Sequence, residues 1–321
     1  MMAKAAIGQI CASNSMAHNL KQCVQLVGQA AAAGAKILFL PEASDYIGTS
    51  AQETLSLAKP VSTSPFVRGL QSAAASHQLA VHVGIHVPVS VKPSSSSSNP
   101  ILPTVPQCEE RTAEGSPEPR GQTKLFNRTI YIRADGTLCP GGTYDKLHLF
   151  DYPDASLRES ATTQAGSRFA PPFPSPVGRL GSLICFDLRF PEAAVHLTAT
   201  TSPPAQILLY PSAFTVATGR AHWEVLLRAR AVETQSYVVA AAQVGTHNPG
   251  LSPRASYGRS MVVDPWGRVV LALRGVKGDD GVEAEDGAVG ELGVVDIDLD
   301  EWERVRAGMP LVRRTDVYPE V

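Results

Sequence analysis

Short apolar runs alternate along this chain with segments whose apolar side chains recur at helical spacing. The runs predict buried strands at residues 5–10, 37–40, 79–87, 125–132, 177–185, 207–210, 237–244 and 291–297, and a hairpin formed by 260–264 and 268–273. Leu20, Val24, Val27 and Ala31 share one face of a first helix, and further helices are predicted over 65–77, 191–198 and 222–234. Strands and helices in alternation are typical of a layered α/β fold.

Two segments interrupt this pattern. Residues 89–122 contain a run of serines at 94–98 and several prolines, a composition that buries too little apolar surface to offset the entropy of ordering. We expect a disordered surface insertion within a hairpin, and a tolerated insertion is favoured over a phosphorylated regulatory loop. Residues 278–287 are acidic and predict a second, solvated loop.

Composition is that of an ordinary globular chain. The 321 residues carry a formal net charge of −2, and 44% of them are hydrophobic. This is enough apolar material for a core, arranged as one large α/β domain or as about two domains. The basic residues are spread along the chain, so we expect no binding of nucleic acid and none to an anionic membrane.

Cysteine usage and the N-terminal sequence indicate the compartment. The cysteines are odd in number and lack the spacings of zinc or redox motifs, which favours a reducing environment; they are Cys11, Cys23, Cys108, Cys139 and Cys185. Because strand-like sequence begins at Ala5, we expect no leader, and no apolar stretch approaches the ~18–20 residues that cross a bilayer. We expect a soluble protein of the cytoplasm, with a mitochondrial form as the open alternative.

Three ionisable side chains lie where predicted strands end. Glu42 follows Phe-Leu-Pro, Lys146 follows Tyr-Asp, and Cys185 follows Leu-Ile. In layered α/β folds these ends converge on one rim where ligands bind, so we expect the three groups to share a pocket. Each residue alone also has a structural interpretation: a turn after a strand for Glu42, a surface ion pair with Asp145 for Lys146, and a buried thiol for Cys185.

Together these groups form a complete set for acyl transfer at an amide. A thiolate attacks the carbonyl, a carboxylate takes the thiol proton and passes it to the leaving amine, and an ammonium stabilises the oxyanion. We expect the lysine to lower the pKa of the thiol, which a buried carboxylate alone would raise. The joint occurrence of Glu42, Lys146 and Cys185 is far more specific than any one of them.

The motifs around these residues resemble those of the nitrilase superfamily of carbon–nitrogen hydrolases. Glu42 in Phe-Leu-Pro-Glu, Lys146 in Tyr-Asp-Lys-Leu-His-Leu-Phe-Asp and Cys185 in Leu-Ile-Cys-Phe-Asp-Leu-Arg-Phe-Pro-Glu match its Glu–Lys–Cys triad. The resemblance implies one domain over residues 1–321, a four-layer α-β-β-α sandwich, a homodimer or higher homo-oligomer, and catalysis without metal or organic cofactor. Glu159 occupies the stretch in which the superfamily has a second glutamate that supports the lysine.

Further segments are similar to the Nit branch of this superfamily, and within it to the deaminated glutathione amidases. These segments span 211–214, 221–243, 254–258 and 261–267. The resemblance implies hydrolysis of a small-molecule amide, deaminated glutathione, to 2-oxoglutarate and cysteinylglycine. The neighbouring ω-amidases release ammonia from 2-oxoglutaramate, and the triad does not separate the two substrates because both contain the 2-oxoglutaryl group. The alternative of a non-catalytic binding scaffold is disfavoured by the intact triad.

Two residues are candidates for contact with the substrate. Arg189 is suited to bind a carboxylate, because a guanidinium matches that group with two hydrogen bonds; a helix cap or an interface ion pair is the alternative. Phe214 is a candidate wall of the pocket, although an aromatic side chain there also suits a core. His222 is interpreted as structural, since no metal ligand or dyad partner lies at a suitable spacing.

Overall fold

Strands and helices alternate through the computed structural model, which describes residues 2–91, 108–109, 122–152 and 157–318. The strands are β1 (Met2–Gly8), β2 (Ile37–Phe39), β3 (Ala80–Val91), β4 (Cys108–Glu109), β5 (Gln122–Ile132), β6 (Tyr144–Asp145), β7 (Asp151–Tyr152), β8 (Leu157–Arg158), β9 (Phe173–Ser175), β10 (Gly178–Ser182), β11 (Ile207–Leu209), β12 (Tyr237–Ala240), β13 (Val244–Thr246), β14 (Ala255–Tyr257), β15 (Met261–Val263), β16 (Val269–Ala272) and β17 (Leu292–Asp298). The helices are α1 (Met16–Ala32), α2 (Ala51–Leu57), α3 (Pro65–His77), α4 (Pro191–Val195), α5 (Val216–Thr234) and α6 (Leu299–Gly308). Short 3₁₀ turns occur at Pro140–Gly142, Glu159–Ala161 and Cys185–Arg189.

Two mixed sheets form the centre of the molecule. The first has the order β17-β1-β2-β3-β5-β6, with β4 also paired to β3, and the second has the order β16-β15-β12-β11-β10-β9. In each sheet three neighbouring strands are parallel, β1-β2-β3 in the first and β10-β11-β12 in the second, and antiparallel strands flank them. The parallel strands therefore end at a common rim, as the predicted pattern requires.

Alternating side chains show how the layers pack. In β2, Ile37 and Phe39 join a cluster that also contains Ile207 of β11, so these faces of the two sheets meet. Leu38 points the opposite way and packs in a cluster with α1 and α3, whereas Leu208 packs in a cluster with α4 and α5. Each sheet thus has a helix layer on its outer face and the other sheet on its inner face. The expected four-layer α-β-β-α sandwich is confirmed.

Local signals in the sequence account for where the main helices begin. Ser64 accepts a hydrogen bond from the Val67 N–H and Pro65 occupies the first turn of α3, as predicted. Thr215 caps α5 in the same way, so this helix begins at Val216 and not at residue 222 as expected. The helix α2 was not predicted, because it buries none of its residues and therefore lacks an apolar stripe. Within the described residues no helix is both long and apolar enough to span a membrane.

Several strand boundaries differ from the predicted ones, and three of the differences matter for the site or for the insertion. The predicted strand over 237–244 is divided into β12 and β13, and β10 ends at Ser182, three residues before Cys185. The strand β3 continues to Val91, where it pairs with Gln122 of β5, so the predicted insertion boundary at residue 89 was wrong. Apart from the short β4, the rest of the predicted insertion lies outside the described residues.

The acidic segment at 278–287 is attached to the body of the protein by polar contacts. Arg220 of α5 donates hydrogen bonds to the carbonyls of Gly278 and Gly281, and Lys277 forms an ion pair with Asp286. The side chains of Asp279, Asp280 and Glu283 are exposed. The charged side chains of this loop therefore face solvent while its backbone is held by α5.

Candidate active site

The structure brings Glu42, Lys146 and Cys185 together at the rim between the two sheets. Glu42 follows β2 and Lys146 follows β6, both in the first sheet, whereas Cys185 follows β10 of the second sheet. Lys146 Nζ lies 2.9 Å from Glu42 Oε1, and the Cys185 thiol and the Glu42 carboxylate are near enough to influence each other's pKa. The three residues are only 4%, 2% and 8% exposed, so their charges interact in a largely water-excluded space.

The Glu42 carboxylate has one acceptor position left for the thiol. Its Oε1 accepts hydrogen bonds from Lys146 Nζ and from Asn127 Nδ2 at 2.6 Å, and its Oε2 accepts one from the Ala213 N–H at 2.8 Å. A carboxylate offers about four lone-pair positions, so the fourth is available to Cys185. Burial alone raises the pKa of Glu42, but the Lys146 charge and the hydrogen bonds from Lys146, Asn127 and Cys185 outweigh it and lower that pKa. Glu42 is therefore ionised and able to take up a proton.

Close backbone packing fixes the position of Glu42. The Gly84 N–H of β3 donates to the Pro41 carbonyl at 3.0 Å, and Gln243 Nε2 donates to the Glu42 carbonyl at 2.9 Å. A Cβ atom at Gly84 would lie 2.6 Å from Glu42 Cα, a distance that real Cβ contacts do not reach. Only glycine at this position lets β3 pass so close to the segment that carries Glu42.

Lys146 lies between two carboxylates. Its Nζ is 2.9 Å from Glu42 Oε1 and 2.9 Å from Glu159 Oε2, and Glu159 also accepts a hydrogen bond from the Phe150 N–H at 2.7 Å. Burial lowers the pKa of Lys146, but the charges of Glu159 and Glu42 raise it well above its usual value. The lysine therefore stays protonated, and the structure places Glu159 where the resemblance implied a supporting glutamate.

Asn127 of β5 is a further member of the cluster that the sequence reasoning missed. Its Nδ2 donates to Glu42 Oε1 at 2.6 Å and to Glu159 Oε1 at 3.0 Å, so one amide bridges the two carboxylates. The available signal was a polar interruption, residues 127–129, in the otherwise apolar strand predicted over 125–132. Such an interruption carries no indication of its partners, because these lie 85 and 32 positions away in the chain.

Cys185 begins a 3₁₀ turn with an unusual backbone conformation. Its φ of 46° lies in the left-handed region that favours glycine, so the thiol is held there at a cost in strain. Its N–H donates to the Pro211 carbonyl at 3.1 Å, which ties the turn to the end of β11. Burial and the Glu42 charge raise the pKa of the thiol, and the opposing effects of Lys146 and the Ala213 N–H do not overcome them. The lysine thus acts in the expected direction, but the thiol is protonated at rest and needs a base.

Arg189 and Phe214 lie beside the cysteine turn. The Arg189 guanidinium, half-buried, is positioned over the rings of Phe186 and Phe214 at 5.7 and 5.8 Å from their centroids. Its Nη2 donates to His222 Nδ1 at 3.0 Å, so His222, which was interpreted as structural, fixes the guanidinium. Phe214 is itself buried and packs edge-on against Trp223 at 4.8 Å. The turn therefore carries both the thiol and a cation held in an aromatic setting.

The residues that the structure describes form no site suited to a metal ion. Across residues 2–91, 108–109, 122–152 and 157–318, no group of three or more His, Cys, Asp or Glu side chains is arranged to hold a metal ion. Catalysis without metal or cofactor stays a prediction. The chemistry that these residues can perform is nucleophilic substitution by a thiol with general base and electrostatic assistance.

Comparisons with known proteins identify the family. The family model of carbon–nitrogen hydrolases matches residues 4–307. The chain is 39% identical to the probable hydrolase nit2 of Schizosaccharomyces pombe over 100% of both chains, and 36% identical to the deaminated glutathione amidase of Mus musculus over 98% of this chain and 84% of the relative. Among solved structures, the Caenorhabditis elegans NitFhit protein matches with a TM-score of 0.76 and 33% identity, over 99% of this chain and 66% of that protein. Saccharomyces cerevisiae Nit3 matches with a TM-score of 0.70 and 25% identity, over 98% of this chain and 96% of Nit3. The chain therefore belongs to the carbon–nitrogen hydrolase family, the nitrilase superfamily, and is a Nit-branch hydrolase of carbon–nitrogen bonds other than peptide bonds.

Proposed function

We propose that this protein is a cysteine-dependent amidase that hydrolyses deaminated glutathione to 2-oxoglutarate and cysteinylglycine. The observation that carries the chemistry is the buried cluster of Cys185, Glu42 and Lys146, in which the Glu42 carboxylate is bonded to Lys146, Asn127 and the Ala213 N–H and keeps one acceptor position for a proton. The substrate assignment is supported by the 36% identity to an amidase of that name.

Acylation of Cys185 follows from the protonation states of the resting site. Glu42 is ionised and the thiol is protonated, so the proton moves from Sγ to Glu42 as Sγ attacks the amide carbonyl carbon. The carbonyl oxygen becomes an oxyanion, which the Lys146 ammonium stabilises. The carbon–nitrogen bond then breaks, Glu42 gives the proton to the departing nitrogen, and a thioester remains.

Deacylation uses the same groups in the same order. A water molecule attacks the thioester carbonyl, and Glu42 takes its proton. The tetrahedral intermediate again places its oxyanion beside Lys146, and its collapse breaks the carbon–sulfur bond. Glu42 returns the proton to Sγ, and 2-oxoglutarate leaves. Glu159 acts throughout by holding Lys146, since Glu159 Oε1 and Oε2 lie 3.1 and 2.9 Å from its Nζ.

Arg189 is proposed to bind the carboxylate next to the oxo group of the substrate. Its guanidinium is oriented by His222 and by the rings of Phe186 and Phe214, which leaves donors free for a bidentate contact. Cys185 begins and Arg189 ends the same short 3₁₀ turn, which supports a substrate contact by both residues. The 2-oxoglutaryl group would thus extend from the thiol to Arg189, with Phe214 as one wall.

The substrate assignment is tested by following 2-oxoglutarate release from deaminated glutathione and, separately, from 2-oxoglutaramate. We expect a higher kcat/KM with deaminated glutathione. A preference for 2-oxoglutaramate would identify an ω-amidase with the same triad. Activity on neither compound would contradict the proposed substrates while leaving the fold and family unchanged.

We also propose a homodimer that forms through the exposed face of α5. Val225 and Val232 lie seven residues apart on one face of this helix and are 61% and 46% exposed, so the face presents apolar surface. Glu224 and Arg228 lie beside them as an ion pair, so a two-fold arrangement can place acid against base between copies. Sedimentation of Val225→Asp tests this, since a dimeric wild type should become monomeric. A variant that sediments like the wild type would exclude this face.

A cytoplasmic location is proposed on the chemistry of the cysteines. Cys11, Cys23, Cys139 and Cys185 are free thiols, which suits a reducing compartment and a thiol catalyst. Cell fractionation tests this location. Recovery of the protein in mitochondria would support the alternative form.

A further inference from the structure

The catalytic residues come from different sheets, so something must fix the distance between them. Lys146 follows β6 of the first sheet, and its N–H and carbonyl are bonded to Asn127 and Gly166. The turn that carries Cys185 is bonded to Pro211, beyond β11 of the second sheet. None of these backbone contacts joins the lysine segment to the cysteine turn. A small relative displacement of the sheets would therefore separate the ammonium from the thiol.

Asp187 joins the two segments through four hydrogen bonds. Its Oδ1 accepts from the His148 N–H at 3.0 Å and from the His148 ring Nδ1 at 2.7 Å. Its Oδ2 accepts from the Tyr144 hydroxyl at 2.7 Å and from the Ile184 N–H at 2.9 Å. These donors are the residues two before and two after Lys146 and the residue immediately before Cys185.

The Asp187 carboxylate has no contact with solvent. Asp187 is completely buried, and its four lone-pair positions are all occupied by protein donors. His148 additionally stacks on Phe190 at 3.6 Å between ring centroids, which holds the imidazole in place from the other side. A buried carboxylate costs free energy unless it is fully hydrogen-bonded, and here every bond leads to a segment that carries a catalytic residue.

We propose that Asp187 is a positioning residue that sets the geometry of Lys146 relative to Cys185. This inference rests on the proposed roles of these two residues in catalysis. Asp187 touches no reacting atom in this account; it acts through Tyr144, His148 and the cysteine turn. Its loss should reduce stabilisation of the oxyanion in the transition state and leave substrate binding nearly unchanged.

Asp187→Asn tests the proposal, with Asp264→Asn as the matched control. Asparagine retains the shape but has only one acceptor oxygen, and its two N–H donors would oppose the donors already present. Asp264, at the β15–β16 turn, is equally buried and accepts from the Trp266 and Arg268 N–H groups at 2.9 Å, away from the site. Both variants lose buried hydrogen bonds, but only the first disturbs the catalytic geometry.

Two measurements separate positioning from simple stability. For Asp187→Asn we expect kcat on deaminated glutathione to fall about 10²-fold with KM near the wild-type value, because displacements of about 1 Å have effects of that order. The rate of alkylation of Cys185 by iodoacetamide at one fixed pH, followed on its peptide by mass spectrometry, should fall because Lys146 favours the thiolate form of Cys185. Asp264→Asn should leave both unchanged.

Wild-type kcat and a wild-type rate of Cys185 alkylation in folded Asp187→Asn would overturn the proposal. If that variant does not fold, Tyr144→Phe removes one of the four donors, and unchanged kcat and alkylation there would equally overturn it. Alkylation requires no substrate, so it tests the positioning role even if the wild type fails to hydrolyse deaminated glutathione. Failure of the proposed substrate and failure of this inference are thereby distinguishable.

Discussion

Replacing Glu42 by glutamine removes the proposed base while preserving its shape. The amide oxygen can continue to accept from Lys146 and Asn127, which places the amide NH₂ toward the Ala213 N–H and the thiol. The opposite orientation would direct the NH₂ at the two donors Lys146 and Asn127 and is less favourable. In the preferred orientation the side chain cannot accept the proton of Cys185, so acylation loses its general base.

The expected loss of rate is large and the loss of stability moderate. General base catalysis contributes about 10²–10⁴-fold, which corresponds to about 3–5 kcal/mol in the activation barrier. Lys146 keeps its second carboxylate, since Glu159 Oε2 lies 2.9 Å from its Nζ. The Ala213 N–H loses its acceptor, and this loss lowers the free energy of unfolding by about 1–3 kcal/mol. KM should change little, because the acceptor positions of Glu42 are directed at protein donors.

Steady-state kinetics on deaminated glutathione and a thermal melt of the same preparations measure both effects. Glu53→Gln is a suitable control, since Glu53 of α2 also accepts hydrogen bonds from protein groups, Thr49 and Asn14, outside the site. The control should retain the wild-type kcat. A folded Glu42→Gln that turns over at the wild-type rate would show that the thiol proton goes elsewhere and would refute the assignment.

Three further substitutions test separate parts of the account. Gly84→Ala must displace the Glu42 backbone by about 1 Å, so kcat should fall about 10²-fold. The control Gly141→Ala adds its methyl group in open space and should have the wild-type kcat. Equal kcat values in both variants would refute the packing argument. Arg189→Leu should raise KM for deaminated glutathione about 10–10²-fold, the value of a charged hydrogen bond, and an unchanged KM would exclude Arg189 from binding. Burial lowers the pKa of His82 from 6.5 to about 3. Between these pH values the unfolded chain binds more protons than the folded protein, so the free energy of unfolding falls as pH decreases. At pH 5 the free energy of unfolding is lower by about 2 kcal/mol because of His82. In urea unfolding, the free energy of unfolding of His82→Gln should fall less with decreasing pH than that of the wild type. The same fall in both proteins would contradict the prediction.

The sequence patterns predicted that the three ionisable side chains lie at strand ends and share a pocket, and the structure brings them together. Glu42, Lys146 and Cys185 follow β2, β6 and β10, and the family motifs around them agree with the position of each strand end. The four layers were likewise implied by the resemblance, and the alternation of buried side chains in the short parallel strands confirms them. These features depend on local periodicity, which sequence retains.

Features that depend on partners distant in the chain were not predicted. Asn127 is a single amide in a strand, and its role arises only where Glu42 and Glu159 meet. The third donor to Glu42 is the backbone N–H of Ala213, which leaves no trace in the choice of side chain. The net direction of the pKa shift at Cys185 depends on how deeply the thiol is buried, and this is a property of the assembled sheets.

The most direct test of the central claim is to trap the acyl-enzyme. Wild-type protein is mixed with deaminated glutathione, quenched in acid within a single turnover, and digested for peptide mass spectrometry. The account predicts one 2-oxoglutaryl group on the peptide that contains Cys185, and neither adduct nor turnover in Cys185→Ala. Turnover without an adduct, and with full activity in Cys185→Ala, would contradict catalysis by this thiol.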